Sequence, residues 1–192
     1  MAQEKILFLG PKGSVLIPWL QEQGEEVFQT SKKLTAKFVA DQEFSFLLSY
    51  GYRHILHKDI IMTFPSRAIN LHISYLPWNR GADPNLWSFI ENSPKGVTIH
   101  HLDESIDTGD IIIQKELTFN PSGETLTTSY IKLQAAIQDL FKQNWQDIKN
   151  GNCQRQKQVG KGSTHKAKDK ECLFHLLTDG WNTSVSGGWI NM

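Results

Sequence analysis

Short apolar runs alternate with amphipathic runs along the first half of the chain, and this alternation restricts the fold more than any other feature. Residues 5–10 and 44–51 are predominantly apolar and end in turn residues, which is typical of strands buried on both faces of a parallel sheet. Residues 34–42, between them, have helical spacing. Three strand–helix steps of this kind predict an α/β fold with a Rossmann-like, mostly parallel twisted sheet flanked by helices.

The second half continues with further elements. We predict a strand at 68–74, a helix with Asp83 as its N-cap and Pro84 as its first residue, and strands at 96–103 and 109–119. One long helix should follow over 122–150 and end at Gly151. The apolar residues of the long helix recur at threes and fours, so they should form its buried face: Leu126, Tyr130, Leu133, Ile137, Leu140, Phe141, Trp145 and Ile148.

The end of the chain has a different composition. Residues 152–170 are polar and basic, and one apolar cluster with turn residues follows them. Because so short a stretch cannot bury a core of its own, we expect one domain over residues 1–151 and a short C-terminal appendage, residues 152–192, packed on it.

The charge balance limits the kinds of partner. Lys plus Arg and Asp plus Glu number 20 each, so no overall field attracts nucleic acid or an anionic membrane, and a small molecule is the expected partner. The N-terminal apolar run is too short for a secretion signal, and no run is long enough to span a membrane. Cys153 and Cys172 lack metal-ligand spacing. These observations predict a cytoplasmic protein.

Asn70 and His72 stand two apart in the predicted strand 68–74, so their side chains point to the same face. They could simply be hydrogen-bonded to neighbouring backbone. However, ligands of α/β sheets bind at the carboxyl ends of the strands, and the stiff, aromatic turn at 74–81 lies just beyond. This position favours a functional site.

A second polar segment, HHLDESIDTGD at 100–110, carries four carboxylates between two predicted strands. It could be no more than a solvated turn. If it lies beside the end of strand 68–74, one of its carboxylates would reach His72. A His–Asp pair can take a proton from an attacking amine while an Asn amide donates to a developing oxyanion, which is a combination suited to acyl transfer.

The segments NLHISYLPWNRG and PKGVTIHHLDESIDTGDIII together resemble the core of the formyltetrahydrofolate-dependent formyltransferases. The family pattern is Asn-x-His with a Ser-x-Leu-Pro continuation and, some 35 residues on, an acidic residue before a Gly-containing turn. The resemblance implies a formyltransferase fold and catalytic roles for Asn70, His72 and Asp107. Whether His72 acts as the base or stabilises the oxyanion stays open.

By the same resemblance, 10-formyltetrahydrofolate is the cosubstrate and no metal is required. The pterin would be held between two segments, mainly through backbone groups, by Tyr52, Arg53, Ile55, His101, Leu102, Asp103 and Glu104. The histidines near the site are not predicted to bind zinc, because His100 and His101 are adjacent and point to opposite faces of a strand.

The segments LPWNRGADPNLWSF, GSTHKAKDK and GWNT are similar to those of the short sugar N-formyltransferases of bacterial surface-glycan pathways. That similarity implies a nucleotide-linked amino sugar as the second substrate, without saying which sugar or which carbon carries the amine. Two alternatives stay open: formylation of a carrier-bound aminoacyl group, and a non-catalytic binder of folate or a nucleotide sugar. The basic domain of the transferases for initiator tRNA has no counterpart in this sequence, and a homodimer stays open.

The turn after strand 68–74 should face the incoming amine. We therefore predict substrate contacts from Trp78, Asn79, Arg80 and Asp83, because Trp78 offers a stacking face and Arg80 could pair with a phosphate. The alternative is a rigid turn in which Arg80 and Asp83 pair with each other.

Overall fold

A computed structural model of the chain describes residues 3–186. Those residues form a core of strands and helices, joined by short loops, and three 3₁₀ helices (Pro121–Gly123, Asp169–Leu176 and Gly180–Asn182). The strands and α-helices follow in the order β1 (Lys5–Leu9), α1 (Leu16–Glu22), β2 (Glu26–Thr30), α2 (Ala36–Asp41), β3 (Phe46–Ser49), α3 (Lys58–Met62), β4 (Ala68–His72), β5 (Arg80–Gly81), α4 (Pro84–Ile90), β6 (Gly96–His101), β7 (Ile111–Glu116), α5 (Leu126–Asn150) and β8 (Thr164–His165).

Six strands form one sheet in the order β2-β1-β3-β4-β6-β7. The first four strands run parallel, whereas β6 is antiparallel to both β4 and β7. The predicted α/β fold, with a sheet that is parallel over its first four strands and flanked by helices, is therefore confirmed. The antiparallel side brings the end of β6 and the loop after it beside β4.

The central strands are buried on both faces, as their apolar sequences predict. Ile6 and Phe8 of β1 pack in a cluster with α1 and α5, while Leu7 and Leu9, which point the other way, pack with α2 and α3. Both faces of the parallel half are thus covered by helices, which leaves the loops at the carboxyl ends of the strands as the accessible edge.

Helix α5 supplies most of the cover on the first face. Thr125 caps its start through a reciprocal pair of hydrogen bonds with Thr128, and Gly151 ends it in the left-handed conformation with φ 71°. The predicted apolar stripe is buried, and Trp145 is fully enclosed with its indole N–H donating to Glu25. The prediction is wrong at Tyr130, which is 47% exposed.

Helix α4 begins at Pro84, as predicted, but Asp83 does not cap it. Asp83 has a left-handed backbone with φ 52° and makes no capping hydrogen bond. Its carboxylate instead accepts a hydrogen bond of 2.9 Å from Nζ of Lys170. The side chain is therefore drawn towards the C-terminal segment and away from the helix.

The segment after α5 contacts the rest of the chain at several points. Gln156 forms an isolated bridge with Ile111, β8 pairs in parallel with β5, and Val185 packs against Leu86 and Leu126. The appendage was predicted over 152–192, of which residues 187–192 lie outside the described residues; the division at residue 151 stays a prediction. Cys153 and Cys172 are not joined to each other.

Candidate active site

The centre of the site is built on β4 and β6. Asn70 and His72 point to one face of β4, and the pairing of the strands places His100 of β6 opposite Asn70. His72 is 7% exposed and His100 is 1% exposed. Three polar side chains therefore share one largely buried surface, where each needs a hydrogen-bonding partner.

Asp107, in the loop between β6 and β7, supplies that partner. Its Oδ1 accepts a hydrogen bond of 3.0 Å from Nδ2 of Asn70 and lies 3.2 Å from Nε2 of His100. Its Oδ2 accepts a 2.9 Å hydrogen bond from the backbone N–H of Gly81 and lies 3.6 Å from Nδ1 of His72. The three predicted catalytic side chains thus lie together, with His100 as a fourth member that the sequence reasoning considered only as a metal ligand.

The surroundings of Asp107 keep its carboxylate ionised. Burial alone would raise the pKa of Asp107, but the imidazoles of His72 and His100 and the N–H of Gly81 together hold that pKa well below its usual range. The carboxylate is accordingly a fixed negative charge beside both imidazoles.

The hydrogen bonds of His72 assign its tautomer. Nε2 lies 3.0 Å from the carbonyl oxygen of Asn79, and a carbonyl can only accept, so Nε2 carries a hydrogen. In the neutral ring Nδ1 is then the unprotonated nitrogen, and it is the nitrogen that faces Asp107. The same reasoning places a hydrogen on Nδ1 of His100, which lies 2.8 Å from the carbonyl of His101.

Left-handed backbone conformations concentrate in the loops that surround Asp107. Asn79, Gly81, Asp83 and Asp107 itself have φ values of 57°, 87°, 52° and 54°, which are uncommon for residues other than glycine. Only glycine fits at position 81, since a Cβ there would lie 2.3 Å from the carbonyl oxygen of His165 on β8. Such conformations persist where neighbouring contacts enforce them.

The residues predicted to hold the pterin lie on two exposed segments. Arg53, Ile55, Asp103 and Glu104 are exposed, and Tyr52, His101 and Leu102 are partly buried. Glu104 also forms an ion pair with Lys58, the first residue of α3, three residues after Ile55. The backbone N–H of Leu102 is already donated to the carbonyl of Ala68, so of its two backbone polar groups only the carbonyl is left for a ligand.

His101 lies at the edge of a cavity of about 180 Å³ that is also lined by Ile69, Cys153 and Arg155. Its Nε2 accepts a 3.0 Å hydrogen bond from Nε of Arg155. Burial, followed by the positive charge of Arg155, lowers the pKa of His101 from its ordinary 6.5 to about 4. The ring is therefore neutral at physiological pH.

The four predicted substrate residues differ in their freedom to contact a ligand. The side chain of Trp78 is 37% exposed. The alternative, in which Arg80 and Asp83 pair with each other, is wrong. Nε and Nη2 of Arg80 donate to Oε1 of Gln158, and Asp83 accepts from Lys170.

Asn79 has a different position from the one predicted, because its side chain is fully buried. Its amide donates to Glu91 and accepts from Ser93. The contribution of Asn79 to the site is its carbonyl, which holds His72, and its side chain is not accessible to a substrate.

Sequence reasoning missed two groups of residues that support the site. Glu91 accepts hydrogen bonds from Asn79 and from Ser163 and lies 2.9 Å from Nε2 of His165, whose ring stacks on Trp87 at 3.9 Å. Gln158 bonds to the loop of Asp107. The GSTH stretch at 162–165 was a signal for the first group, but Gln158 stands in a polar run that predicts only a loop.

Within residues 3–186 no group of three or more His, Cys, Asp or Glu side chains is arranged to hold a metal ion. Over the same residues, no helix combines the length and apolar character needed to cross a membrane.

Known proteins resemble this chain in sequence. Residues 21–143 match the model of a family described as Formyl transferase. A methionyl-tRNA formyltransferase from Anaeromyxobacter dehalogenans is 45% identical over 83 residues, which are 42% of this chain and 27% of that protein. The matching part therefore spans about a quarter of that curated relative.

Solved structures share the fold. PseJ, a formyltransferase from Anoxybacillus kamchatkensis solved in complex with UDP-4,6-dideoxy-4-formamido-L-AltNAc and tetrahydrofolate, is 51% identical with a TM-score of 0.90, and the match covers 94% of this chain and 95% of that one. A 4-N formyltransferase from Francisella tularensis is 26% identical with a TM-score of 0.76, over 88% of this chain and 79% of that one.

Proposed function

The chain belongs to the formyl transferase family, as its motifs predict, and from this premise we propose that it transfers a formyl group from 10-formyltetrahydrofolate to the primary amine of a nucleotide-linked amino sugar. The observation that carries the proposal is the convergence of Asn70, His72 and Asp107 on one surface. An amide donor, an imidazole and a carboxylate are the groups that acyl transfer to an amine requires.

Asn70 is suited to stabilise the oxyanion. Its amide nitrogen donates to Oδ1 of Asp107 at 3.0 Å and also lies 3.3 Å from Nε2 of His100. Those two atoms are only 3.2 Å apart, so one of the two amide hydrogens can point towards both of them and fix the plane of the amide. The second hydrogen then points away from them and can be donated to the carbonyl oxygen as it gains negative charge. The side chain therefore needs little rearrangement during the reaction.

His72 is suited to act as the base. Because Nε2–H is held by the carbonyl of Asn79, the lone pair of Nδ1 is free to accept the proton that the amine loses as its nitrogen bonds to the formyl carbon. Asp107 lies close enough to stabilise the imidazolium that results. The proton then passes to the folate nitrogen as the bond between that nitrogen and the formyl carbon breaks, which yields tetrahydrofolate and a formamide.

The cosubstrate supplies the formyl group as an electrophilic carbon. We assign its pterin to the two segments that include Tyr52, Arg53 and Ile55 on one side and residues 101–104 on the other. Their fit is supported by their exposure and by the ion pair between Glu104 and Lys58, which stands three residues after Ile55. In this assignment the hydrogen bonds to the pterin ring come mainly from backbone groups, so charged side chains are not required to bind it.

A nucleotide-linked sugar is favoured as the amine substrate by the match to PseJ over nearly the full length of both chains. Trp78, which is partly exposed beside the catalytic strand, offers a stacking face for the sugar or the base. Arg80 keeps Nη1 for a phosphate oxygen, since Nε and Nη2 are taken by Gln158.

Release of tetrahydrofolate from 10-formyltetrahydrofolate tests this proposal. The purified full chain would be incubated with UDP-linked 4-amino-4,6-dideoxy sugars, with the corresponding sugar lacking the nucleotide, and with an aminoacyl carrier protein. We expect release with a UDP-linked amino sugar that is much faster than with the other two. Faster release with the carrier would contradict the sugar assignment, and release with none of them would indicate a binding protein.

A further inference from the structure

Gln158 is the half-buried side chain in a stretch whose neighbours Lys157 and Val159 are exposed. Its amide nitrogen donates to two backbone carbonyls, those of Asp107 and Gly109, both at 2.8 Å. Its amide oxygen accepts from Nε and Nη2 of Arg80 at 3.0 and 2.7 Å. Both hydrogens and both lone pairs of the amide are therefore used.

These contacts join the two loops that hold the catalytic carboxylate. Gly81, next to Arg80, donates its N–H to the side chain of Asp107, while Gln158 holds the backbone of the same Asp107 and reaches back to Arg80. The links form a closed ring through Arg80, Gly81, Asp107 and Gln158. A shift of Asp107 would have to break at least one link of this ring.

Asp107 needs such support because its backbone is left-handed, with φ 54°, a conformation that costs a non-glycine residue energy. The peptide groups that follow are equally constrained, since a Cβ at Gly109 would lie 1.8 Å from the carbonyl of His101. The side-chain amide of Gln158 donates hydrogen bonds to the carbonyls at both ends of this turn, at positions 107 and 109.

We propose that Gln158 is a positioning residue for the formyl transfer: its amide donates to the turn at 107–109 and thereby holds the Asp107 carboxylate against Asn70 and His72. This inference rests on the proposed function. It also makes the C-terminal segment part of the catalytic apparatus, because the one side chain that closes the ring comes from residues beyond α5.

Two substitutions separate this role from a simple tether to Arg80. Gln158→Glu keeps the length and the oxygens that face Arg80, but a carboxylate cannot donate to the two carbonyls. Gln158→Ala removes every contact. We expect both variants to lower kcat about tenfold or more, as small misplacements of catalytic groups do, with a smaller change in KM for either substrate. Gln156→Ala is the matched control, because among the described residues Gln156 is bonded through its backbone alone.

A double-mutant cycle with Asp107→Asn provides the decisive readout. If Gln158 acts through Asp107, then adding Gln158→Ala to Asp107→Asn should change kcat by less than about twofold, since the losses are not additive for residues that act as a unit. Losses that multiply would overturn the proposal, as would a wild-type rate for Gln158→Glu. Thermal unfolding of each variant, with midpoints near the wild-type value, shows that the rates are those of folded protein.

The same measurements distinguish a failure of the role of Gln158 from a failure of the proposed function. A wild-type chain that transfers no formyl group to any nucleotide-linked amino sugar refutes the proposed function. An active wild-type chain with fully active Gln158 variants refutes the role of Gln158 alone.

Discussion

Single residues in this protein take their properties from partners that lie far away in the sequence. Asp107 illustrates the point, because its carboxylate is held by Asn70 on one strand, by Gly81 in a turn and by two imidazoles. The opposing effects of burial and of those partners leave it with a lowered pKa. A carboxylate in that state stabilises positive charge on His72 without competing for the proton.

His101 provides a test of electrostatics at the residue scale. Its pKa is lowered to about 4 in the folded chain, whereas an unfolded histidine takes up a proton below about 6.5. Between those values the unfolded state binds more protons, so stability should fall as pH falls through this window. We expect the thermal midpoint to decrease from about pH 7 to about pH 5.

His101→Gln should reduce this pH dependence, since the amide oxygen can still accept from Arg155 but does not titrate. The exposed His175 is the control position, and His175→Gln should keep the wild-type dependence. An unchanged slope in His101→Gln would show that another group is responsible.

At the scale of elements, the short pair of strands β5 and β8 links the segment after α5 to the turn at 74–81, which follows the strand that carries Asn70 and His72. Gly81 of β5 donates its N–H to Asp107 and lies against the backbone of His165 on β8. The pairing thus positions the donor, and a change that separates the strands should affect catalysis as well as stability.

Gly81→Ala tests this link, because a Cβ at position 81 would lie 2.3 Å from the carbonyl of His165. Gly24→Ala is the matched control: its φ is 88°, against 87° for Gly81, but the space around it is open. We expect Gly24→Ala to lower the free energy of unfolding by about 1 kcal/mol with normal turnover. Gly81→Ala should lower it further and reduce kcat about tenfold or more.

Both free energies can be measured by urea unfolding, and turnover by tetrahydrofolate release. If Gly81→Ala loses no more stability and no more activity than Gly24→Ala, then the contact between β5 and β8 does not position the site.

Across the whole molecule, the sequence predicted what depends on local pattern. Apolar runs identified the buried strands, and the spacing of two predicted the shared face of Asn70 and His72. Both features have short-range signals that survive in a linear sequence. The partner of His72 is a long-range contact, and Asp107 was assigned to it by the resemblance of its motif to the family.

Other features that depend on long-range pairing were not predicted. The antiparallel orientation of β6 and β7 has no signal, because apolar runs look alike in either direction. The roles of Glu91 and Gln158 also escaped, since polar residues near loops usually face solvent and only the fold shows which of them close on the site. Asp83 was predicted as a helix cap from a local rule, and a distant lysine, Lys170, overrides that rule.

The central claim is that Asn70, His72 and Asp107 act together on one formyl carbon. The most direct test follows an isotopically labelled formyl carbon from 10-formyltetrahydrofolate into a UDP-linked amino sugar, with the wild-type chain beside Asn70→Ala, His72→Ala and the exposed control His175→Ala. We predict that the label enters the sugar as a formamide with the wild type and the control, and that transfer is at least about a hundredfold slower with the other two folded variants. Near-normal transfer by either Asn70→Ala or His72→Ala would contradict the account.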